Sequence, residues 1–282
     1  MKKLPQNKAS QYSDFGVHLR RIEFPESNHI PVAYVHQDDY YICGLLEEGT
    51  GCCIIDFKEQ HFSSGNVFLI QPGQVHRFVH SKDAVGWVLL VDTSFVGCEA
   101  KRIFDRFQLF ASSIKIDEQL TYELKQMASI LADRLNDITD ELSKTIVRGL
   151  AEAYINIVAE SVKKMELQQV KHSHRHIEIV LSFLQLLAEH IATNHSPSYY
   201  ASRLNISPVY LNEVVKKVTG MSTSSYIKNE LILQAKRLLV HTNFSIKEIS
   251  DRLGIEDYAY FSRIFTQTAG TSPSTFRRKN LE

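Results

Sequence analysis

The chain has 282 residues, a length that suits two domains of ordinary size better than one. Hydrophobic residues make up 44% of it, enough for each domain to bury a core. The sequence contains no run of eighteen apolar residues, which excludes a predominantly apolar membrane-spanning helix. The opening MKKLPQNKAS is positively charged but no apolar segment follows it, so we expect no signal peptide and a cytoplasmic location.

Charge is distributed unevenly along the chain. The 32 basic and 32 acidic residues balance overall, yet residues 1–170 carry an excess of five acidic residues and residues 171–282 an excess of five basic ones. A basic C-terminal part predicts a polyanionic partner for it. An excess of five charges is small, so this prediction depends on the motifs found in the same part of the chain.

The four cysteines, Cys43, Cys52, Cys53 and Cys98, include no CxxC pair. Their spacing indicates neither a disulfide framework nor a zinc site. We interpret all four as buried thiols in a reducing compartment, with a redox sensor as the alternative.

Residues 30–96 contain short apolar runs separated by turn signals. The runs are YYICGLLEE, GCCIIDFK, NVFLIQPG, HRFVH and VGWVLLVD. The breaks between them include Gly49-Thr50-Gly51, Ser64-Gly65-Asn66 and Pro72-Gly73. Several short strands at this spacing predict an antiparallel barrel or sandwich.

The stretch SSGNVFLIQPGQVHRF is more specific, because a strand is followed by Pro-Gly, two further residues and His76. It resembles the second half-motif of the cupin barrel. In metal-binding cupins that histidine joins a His-x-His pair and a Glu from an earlier strand. The earlier segment here, VHQDDYYICGLLEEGTG, offers His36 but no His-x-His. Since three or four ligands are needed, we expect no metal and no other cofactor.

A barrel of this size holds one small ligand. Candidate residues of an effector pocket are His36, His76 and Trp87, although His76 is also explained as a turn histidine bonded to backbone groups. Strand alternation leaves open which side faces inward. It only groups His76, Phe78 and His80 on one face, and Trp87, Leu89 and Val91 together on one face.

The β pattern ends near residue 100, and residues 101–168 are predicted as a helical connector. Apolar residues recur there at three- and four-residue spacing, which indicates an amphipathic helix: Leu120, Leu124, Met127, Leu131, Leu135 and Ile138. The segment TIVRGLAEAYINIVAESVKKM predicts a second helix. The stripe either packs against the barrel or forms a dimer seam, and the two alternatives are compatible.

A polar segment at residues 166–176 is predicted as the linker to the C-terminal part. It contains three histidines at alternate positions, which we interpret as exposed, with a metal-binding tract as the alternative: His172, His174 and His176.

The C-terminal part contains two copies of one pattern. Leu204-Asn205-Ile206 corresponds to Leu253-Gly254-Ile255 at an offset of 49 residues, and Thr219-Gly220 to Ala269-Gly270 at an offset of 50. The second copy therefore has one extra residue at its turn. Two short helices joined by such a bend form a helix-turn-helix, whose second helix can enter the DNA major groove.

Periodicity separates a buried and an exposed side of each second helix. The predicted core stripes are Leu211, Val214, Val215 and Val218 in the first copy and Phe261, Ile264, Phe265 and Thr268 in the second. The opposite sides are the candidate DNA-binding residues: Val209, Asn212, Glu213 and Lys216, and in the second copy Ala259, Ser262, Arg263 and Thr266. Gly220 and Gly270 are predicted helix C-caps with positive φ.

The segment SSYIKNELILQAKRLLVHT between the copies predicts a single helix of about 17 residues and about 25 Å. Successive major-groove faces lie about 34 Å apart. One chain is therefore expected to hold its two copies against two turns of one DNA face.

The pattern AxxLxISxxYLxxxxKxxxG, the helix containing AKRLL, and the segments SIKEIS, GIEDYAYFSRIF and GTSPSTFRR resemble the DNA-binding domain of the AraC/XylS family of bacterial transcription regulators. The resemblance covers residues 175–278. It implies an effector-binding or dimerising barrel, connector helices, and a double helix-turn-helix domain that recruits RNA polymerase. It also implies base contacts at Val209, Asn212 and Glu213 and, in the second copy, at Ala259, Ser262 and Arg263.

Two residues depart from the pattern of the family. Glu213 stands where the family often has a basic or neutral residue, and Val215 where it often has Phe. A glutamate accepts a hydrogen bond from a cytosine amino group but repels nearby phosphates. The first copy is thus expected either to bind weakly or to recognise an unusual base.

The fold class predicted is α+β: an N-terminal antiparallel cupin-like barrel (1–100), helical connector (101–168) and all-α double helix-turn-helix domain (169–282). The predicted function is sequence-specific transcription regulation, as an activator and homodimer controlled by an effector or by dimerisation, without enzyme activity. A metal-dependent cupin enzyme fused to a DNA-binding domain is the alternative. A third hypothesis, protein contact through the helix-turn-helix units, agrees less well with the basic excess and the paired spacing.

Overall fold

The structure, a computed structural model, describes residues 6–7, 13, 15–24, 35–108, 111–169 and 174–281. The chain divides into two compact units, Pro5–Val170 and Lys171–Glu282. Within the described ranges, no helix has the length and apolar character needed to cross a membrane.

The first unit contains a mainly antiparallel sheet. In the described ranges its strands are β1 (Gln6–Asn7), β2 (Val17–Phe24), β3 (His36–Asp38), β4 (Tyr40–Ile55), β5 (Lys58–Ser63), β6 (Asn66–Ile70), β7 (Val75–Asp92) and β8 (Ser113–Lys115). The strands β4 and β7 form its centre, with β5 and β6 paired to β4, and β2 and β3 paired to β7. The short pair β1–β3 is parallel and the other described pairs are antiparallel.

Strands β4 and β7 are longer than the sequence predicted. YYICGLLEE and the first five residues of GCCIIDFK, expected as separate strands, lie in the 16 residues of β4, and HRFVH and VGWVLLVD lie in the 18 residues of β7. Gly49 has φ +78° at a register shift between the two strands. The Gly-Thr-Gly segment is therefore an irregularity that bends a continuous strand, where the sequence predicted a turn that ends it.

The sheet separates two apolar clusters. One cluster contains residues of strands and helices and is called the helix-side cluster; the other contains strand residues only and is called the strand-side cluster. In β4, Tyr41, Cys43 and Leu45 belong to the helix-side cluster, whereas the alternate residues Tyr40 and Ile42 belong to the strand-side cluster. The strand-side cluster is formed by residues of β2, β4, β5, β6 and β7 that bury one another. Burial of this kind requires the sheet to curl around the cluster, so the side of β4 that carries Tyr40 and Ile42 is the inner one.

Three helices pack on the other side of the sheet: α1 (Cys98–Phe107), α2 (Glu118–Asn136) and α3 (Glu141–Gln169). In α2, Leu124 and Leu131 are buried in the helix-side cluster, and Leu120, Met127 and Leu135 pack against it. The prediction that this stripe packs against the sheet is thus confirmed. The predicted dimer seam stays a prediction.

The cysteines agree with the sequence analysis at three of four positions. Cys43, Cys52 and Cys53 are buried, whereas Cys98 is exposed at the start of α1, so the prediction for Cys98 was wrong. Burial raises the pKa of Cys43 and Cys53 to about 12 and that of Cys52 to about 11. Because the thiolate is the reactive form, these three thiols are poorly suited to redox sensing.

The second unit is helical: α4 (His174–His190), α5 (Pro197–Arg203), α6 (Pro208–Thr219), α7 (Thr223–His241), α8 (Ile246–Arg252), α9 (Tyr258–Ala269) and α10 (Pro273–Leu281). Much of the predicted linker is helical, because α3 runs to Gln169 and α4 begins at His174. His172 and the side chain of His174 lie outside the described residues. His176 is partly buried with its ring 6.4 Å from that of Tyr210, so its predicted exposure was wrong.

Helix α7 joins the two copies. Its 19 residues correspond to a length of about 28 Å. Leu231, Ala235 and Leu239 are buried, as the stripe predicted, and Tyr226 and Leu238 are partly buried. The predicted C-caps are also confirmed: Gly220 and Gly270 end α6 and α9 with φ +76° and +73°.

Candidate functional site

The first helix-turn-helix unit consists of α5, a four-residue turn and α6. Asn205 has φ +54°, which reverses the chain after α5. The amide of Ile206 then donates to the carbonyl of Ala201 at 3.0 Å, and the hydroxyl of Ser207 accepts from the amide of Tyr210 at 3.1 Å. These local bonds determine where α6 begins and the direction in which it leaves the turn.

The second unit, α8 and α9, repeats this path with one more residue before its second helix. Gly254 has φ +69° at the position of Asn205. The amide of Ile255 donates to the carbonyl of Ser250 at 3.0 Å, and Asp257 accepts from the amide of Tyr260 at 2.9 Å. The two units thus share one turn geometry, as the sequence repeat predicted.

The second helices α6 and α9 each bury one side. All four residues of the stripe predicted in α6 are buried, and in α9 Phe261, Ile264 and Phe265 are buried while Thr268 is only partly buried. Six of the eight candidate DNA-binding residues are exposed: Val209, Glu213, Lys216, Ala259, Arg263 and Thr266. Each helix therefore has one exposed side, called its open side below, which carries both polar and apolar residues.

Asn212 and Ser262, the other two candidates, are partly buried. The side-chain oxygen of Asn212 accepts a hydrogen bond from the amide of Thr223, the first residue of α7, at 3.0 Å. Asn212 therefore links α6 to α7, a structural role that the sequence analysis missed. The hydroxyl of Ser262 is buried without a hydrogen-bond partner among the described residues.

Aromatic residues on the open side of α9 were also missed. Tyr258 and Tyr260, at the start of the helix, are 46% and 44% exposed. The guanidinium carbon of Arg263 lies 5.5 Å from the centre of the Tyr260 ring. This contact holds the arginine against the helix surface. The sequence signal was the pair of tyrosines on either side of Ala259.

Arg277 in α10 has a structural role where the sequence predicted only a basic tail. Its Nε donates to the carbonyl of Leu239 at 2.9 Å, near the end of α7, and one terminal nitrogen donates to the carbonyl of Phe244 at 2.6 Å. The arginine thus satisfies carbonyls around the end of α7. Arg278 and Lys279 beside it are exposed.

In the first unit, His36, Asp38 and His76 form a buried cluster, 3%, 2% and 1% exposed. The imidazole rings of the two histidines have centroids 4.1 Å apart. Asp38 Oδ2 lies 3.3 Å from His76 Nε2 and 3.7 Å from His36 Nε2. The expectation of no metal site counted only the two histidines; Asp38 is a third possible ligand at the same place.

The backbone determines the orientation of the His76 ring. Its Nδ1 lies 3.2 Å from the carbonyl oxygen of Gln74, in the turn that precedes β7. Burial and the nearby His36 lower the pKa of His76 to about 3, so the ring is neutral near pH 7. The interpretation of His76 as a histidine bonded to backbone groups agrees with the Gln74 contact.

The strand-side cluster also borders a cavity of about 40 Å³. Phe62, Phe68 and Phe78 line it, and His80 and Ser81 are polar members of the lining. The three proposed pocket residues are not part of this lining. Trp87 instead packs against the helix-side cluster, with Arg21 4.9 Å from its ring centre, because alternation along β7 directs it away from the inner side.

Two family models match the chain. One is described as an AraC-like ligand binding domain and matches residues 19–153, and the other is described as a helix-turn-helix domain and matches residues 200–279. Together they cover the sheet with most of its helices and both helix-turn-helix units.

Similar proteins include the Msm operon regulatory protein of Streptococcus mutans, 24% identical over 242 residues that cover 86% of this chain and 85% of that protein. The HTH-type transcriptional activator RhaS of Escherichia coli is 21% identical over 276 residues, covering 92% of this chain and 90% of its own. Among solved structures, the C-terminal domain of AraT, a response regulator from Geobacillus stearothermophilus, is 31% identical. It covers 39% of this chain and 88% of that domain, with a TM-score of 0.36.

Proposed function

Because this chain belongs to the AraC family of transcription regulators, we propose that it binds double-stranded DNA sequence-specifically through the open sides of α6 and α9. The observation that carries the proposal is the repetition itself. Two units with the same turn geometry each bury one side of their second helix and leave the other side open. DNA as the partner also supports a cytoplasmic location.

Helix α7 supports the use of both units on one DNA molecule. It is continuous over 19 residues, and both helix-turn-helix units pack against it within one compact unit. The proposed base contacts are Val209 and Glu213 on α6 and Ala259 and Arg263 on α9, with Lys216 and Thr266 further along the same sides. Asn212 and Ser262 are proposed contacts only through the part of each side chain that remains accessible.

The test is selection of genomic fragments by the full chain, followed by footprinting of the retained sites. We expect protection of two major-groove segments about 10 base pairs apart on one face of the DNA. With roughly 4 to 8 phosphate contacts, log K should fall with log salt at a slope of about −4 to −7. Lys58→Ala, an exposed charge of the first unit, is the charge-matched control for variants on α9. The absence of any selective retention at low salt would contradict the proposal.

The first unit supports control of DNA binding by an effector, since it matches a ligand-binding domain model. The cavity of about 40 Å³ among strand-side residues is the proposed pocket, with room for about three water molecules. A larger effector therefore requires movement of the lining side chains. Phe68→Trp should reduce the cavity and weaken effector binding, and a thermal-shift screen of wild type against this variant would test it.

We also propose that the chain is a homodimer and activates transcription by contacting RNA polymerase. The support for dimerisation is a set of exposed apolar side chains at four- and eight-residue spacing on α2 and α3, between 42% and 68% exposed: Tyr122, Ile130, Leu142 and Ile146. Ile130→Lys should shift the sedimenting species towards monomer, whereas Ser129→Lys, one position away, should not. Run-off transcription with purified polymerase would test activation.

The relatives named above are transcription regulators, which supports a function without enzyme activity. The alternative, a metal-dependent enzyme fused to a DNA-binding domain, requires turnover of a substrate and not only a metal ion. Binding of a metal by itself would therefore not distinguish the two.

A further inference from the structure

Strand pairing brings His36, Asp38 and His76 together from distant parts of the chain. In the antiparallel pair β3–β7, His36 lies directly opposite His76. Side chains two residues apart on a strand point to the same side, so Asp38 joins the side that carries both imidazoles. The cluster is separate from the cavity, whose lining contains none of the three residues.

The spacing of the donor atoms agrees with a coordination sphere. One atom from each of the three side chains lies within 4.8 Å of the other two, and Asp38 Oδ2 lies 3.3 Å from His76 Nε2 and 3.7 Å from His36 Nε2. Ligands about 2.0 to 2.2 Å from a common ion are separated by about 3.0 to 3.6 Å. The His76–Asp38 separation falls within this range, and the His36–Asp38 separation is slightly longer.

The His76 ring contacts the backbone through Nδ1, which leaves Nε2 for a metal ion. The carbonyl oxygen of Gln74 can only accept a hydrogen bond, so its contact with Nδ1 needs a proton on Nδ1. Nε2, the other ring nitrogen, lies 3.3 Å from Asp38 Oδ2. Histidines that bind metals usually donate their other ring N–H in this way to a carbonyl or carboxylate.

We propose that His36, Asp38 and His76 bind one divalent first-row transition-metal ion inside the sheet unit. Two imidazoles and a carboxylate suit zinc, iron, cobalt or nickel better than calcium or magnesium. Three protein ligands also leave coordination positions for water or another small ligand. The site is independent of the proposed DNA binding, because all three residues lie in the first compact unit.

A second cluster, Cys52, Glu59 and His61, also has three potential donors. Glu59 and His61 are exposed, and burial together with Glu59 raises the pKa of Cys52 to about 11, so its thiol stays protonated near pH 7. A protonated thiol is a poor metal ligand. This cluster is therefore the weaker candidate, and it provides an internal control in the same domain.

The experiment uses the untagged full chain, stripped of metal by a chelator and then titrated with Co²⁺ while its visible spectrum is recorded. We expect one equivalent to bind and to produce d–d bands, without a thiolate charge-transfer band. Asp38→Asn and His36→Gln should each weaken Co²⁺ binding by about tenfold or more. His61→Gln and His174→Gln, which change none of the three proposed ligands, should leave binding unchanged.

The wild-type spectrum by itself distinguishes the proposed site from the Cys52 cluster. The proposal is therefore tested even if the ligand variants do not fold. Circular dichroism identifies the variants that retain the fold, and a rise in the melting temperature of wild type on adding Zn²⁺ gives a second readout. The proposal is overturned if wild type does not bind Co²⁺, if a thiolate band dominates, or if a folded Asp38→Asn variant binds as tightly as wild type. Loss of binding in His61→Gln or His174→Gln alone would also overturn it.

Discussion

The two helix-turn-helix units have nearly the same backbone but different chemistry on their open sides. In the first, α6 presents Val209, 69% exposed, beside the acidic Glu213. In the second, α9 presents two tyrosines and Arg263, which lies over one of their rings. Glu213 repels phosphates and Arg263 attracts them, so we predict that the second unit supplies more of the binding energy, although Lys216 adds a positive charge to the first.

The units also differ in how the second helix is joined to the next one. Asn212 accepts the amide hydrogen of Thr223, the first residue of α7. At an offset of 50 residues these positions become Ser262 and Pro273, the first residue of α10. Proline has no amide hydrogen, so the second unit needs no acceptor there. The hydrogen bond explains why the first unit has Asn212 together with Thr223. Its absence explains why the second unit has Ser262 together with Pro273.

The turns differ in the freedom available to a side chain. Asn205 and Gly254 both have positive φ, at +54° and +69°. A Cβ atom at Gly254 would lie 2.3 Å from the carbonyl oxygen of Ala192, a backbone atom that cannot rotate away, whereas Asn205 already carries one. A residue with a side chain is thus accepted in the first turn and excluded from the second.

The largest effect is expected for Gly254→Ala. Positive φ and a backbone clash together should lower the free energy of unfolding of the second unit by about 3 kcal/mol or more. Asn205→Ala, at the equivalent position of the first turn, should cost about 1 kcal/mol because only the conformational penalty applies. Urea denaturation of both variants, followed by circular dichroism, measures the difference. Equal losses would show that the two turns are equally constrained.

Arg263→Ala should have the next largest effect, on DNA affinity. If Arg263 binds a guanine, the variant should lose about 1–3 kcal/mol of discrimination at one operator position and keep its salt slope. If it contacts a phosphate, binding should weaken uniformly across sequences and the slope should decrease by about one. Affinities for a panel of operator variants at two salt concentrations separate these outcomes. An unchanged affinity would contradict the prediction that the second unit supplies most of the DNA-binding energy.

Asn212→Ala should lower the free energy of unfolding by about 1 kcal/mol, because the amide of Thr223 loses its acceptor. Ser262→Ala should be neutral or slightly stabilising, since its hydroxyl is buried without a hydrogen-bond partner among the described residues. Thermal melts of the two single variants make the comparison directly. The double change Asn212→Ala with Thr223→Pro should recover part of the loss; no recovery would mean that Asn212 acts elsewhere.

The smallest effect, and one of opposite sign, is expected for Glu213→Ala. Removing an exposed carboxylate from the open side of α6 should strengthen non-specific DNA binding slightly, by less than about 1 kcal/mol, because phosphate repulsion falls. Specificity should change only if Glu213 accepts a hydrogen bond from a cytosine. Competition against non-specific DNA at one fixed salt concentration measures both. If the Glu213→Ala variant binds DNA more weakly than the Arg263→Ala variant, the first unit, and not the second, supplies more of the binding energy.

The helical unit was predictable because its signals are local. Caps such as Ser207 and Asp257, the positions Asn205 and Gly254, and the three- and four-residue periodicity involve residues within a few positions of one another. The repeat at offsets of 49 and 50 then indicated two copies and the extra turn residue. The sequence by itself therefore determined the helices of both units and six of the eight residues on the open sides of α6 and α9.

The tertiary structure alone decided what depends on residues far apart. Asp38 becomes a third possible ligand only through the pairing of β3 with β7, and Trp87 is directed to the helices only once the inner side of the sheet is known. The bonds from Arg277 to the end of α7 likewise span more than thirty residues. Strand register and helix docking are set by the burial of whole faces, so no short segment contains them. The neighbours of a residue in the sequence determine whether it lies in a helix, a strand or a turn. The packing of helices and strands then determines which side chains come into contact.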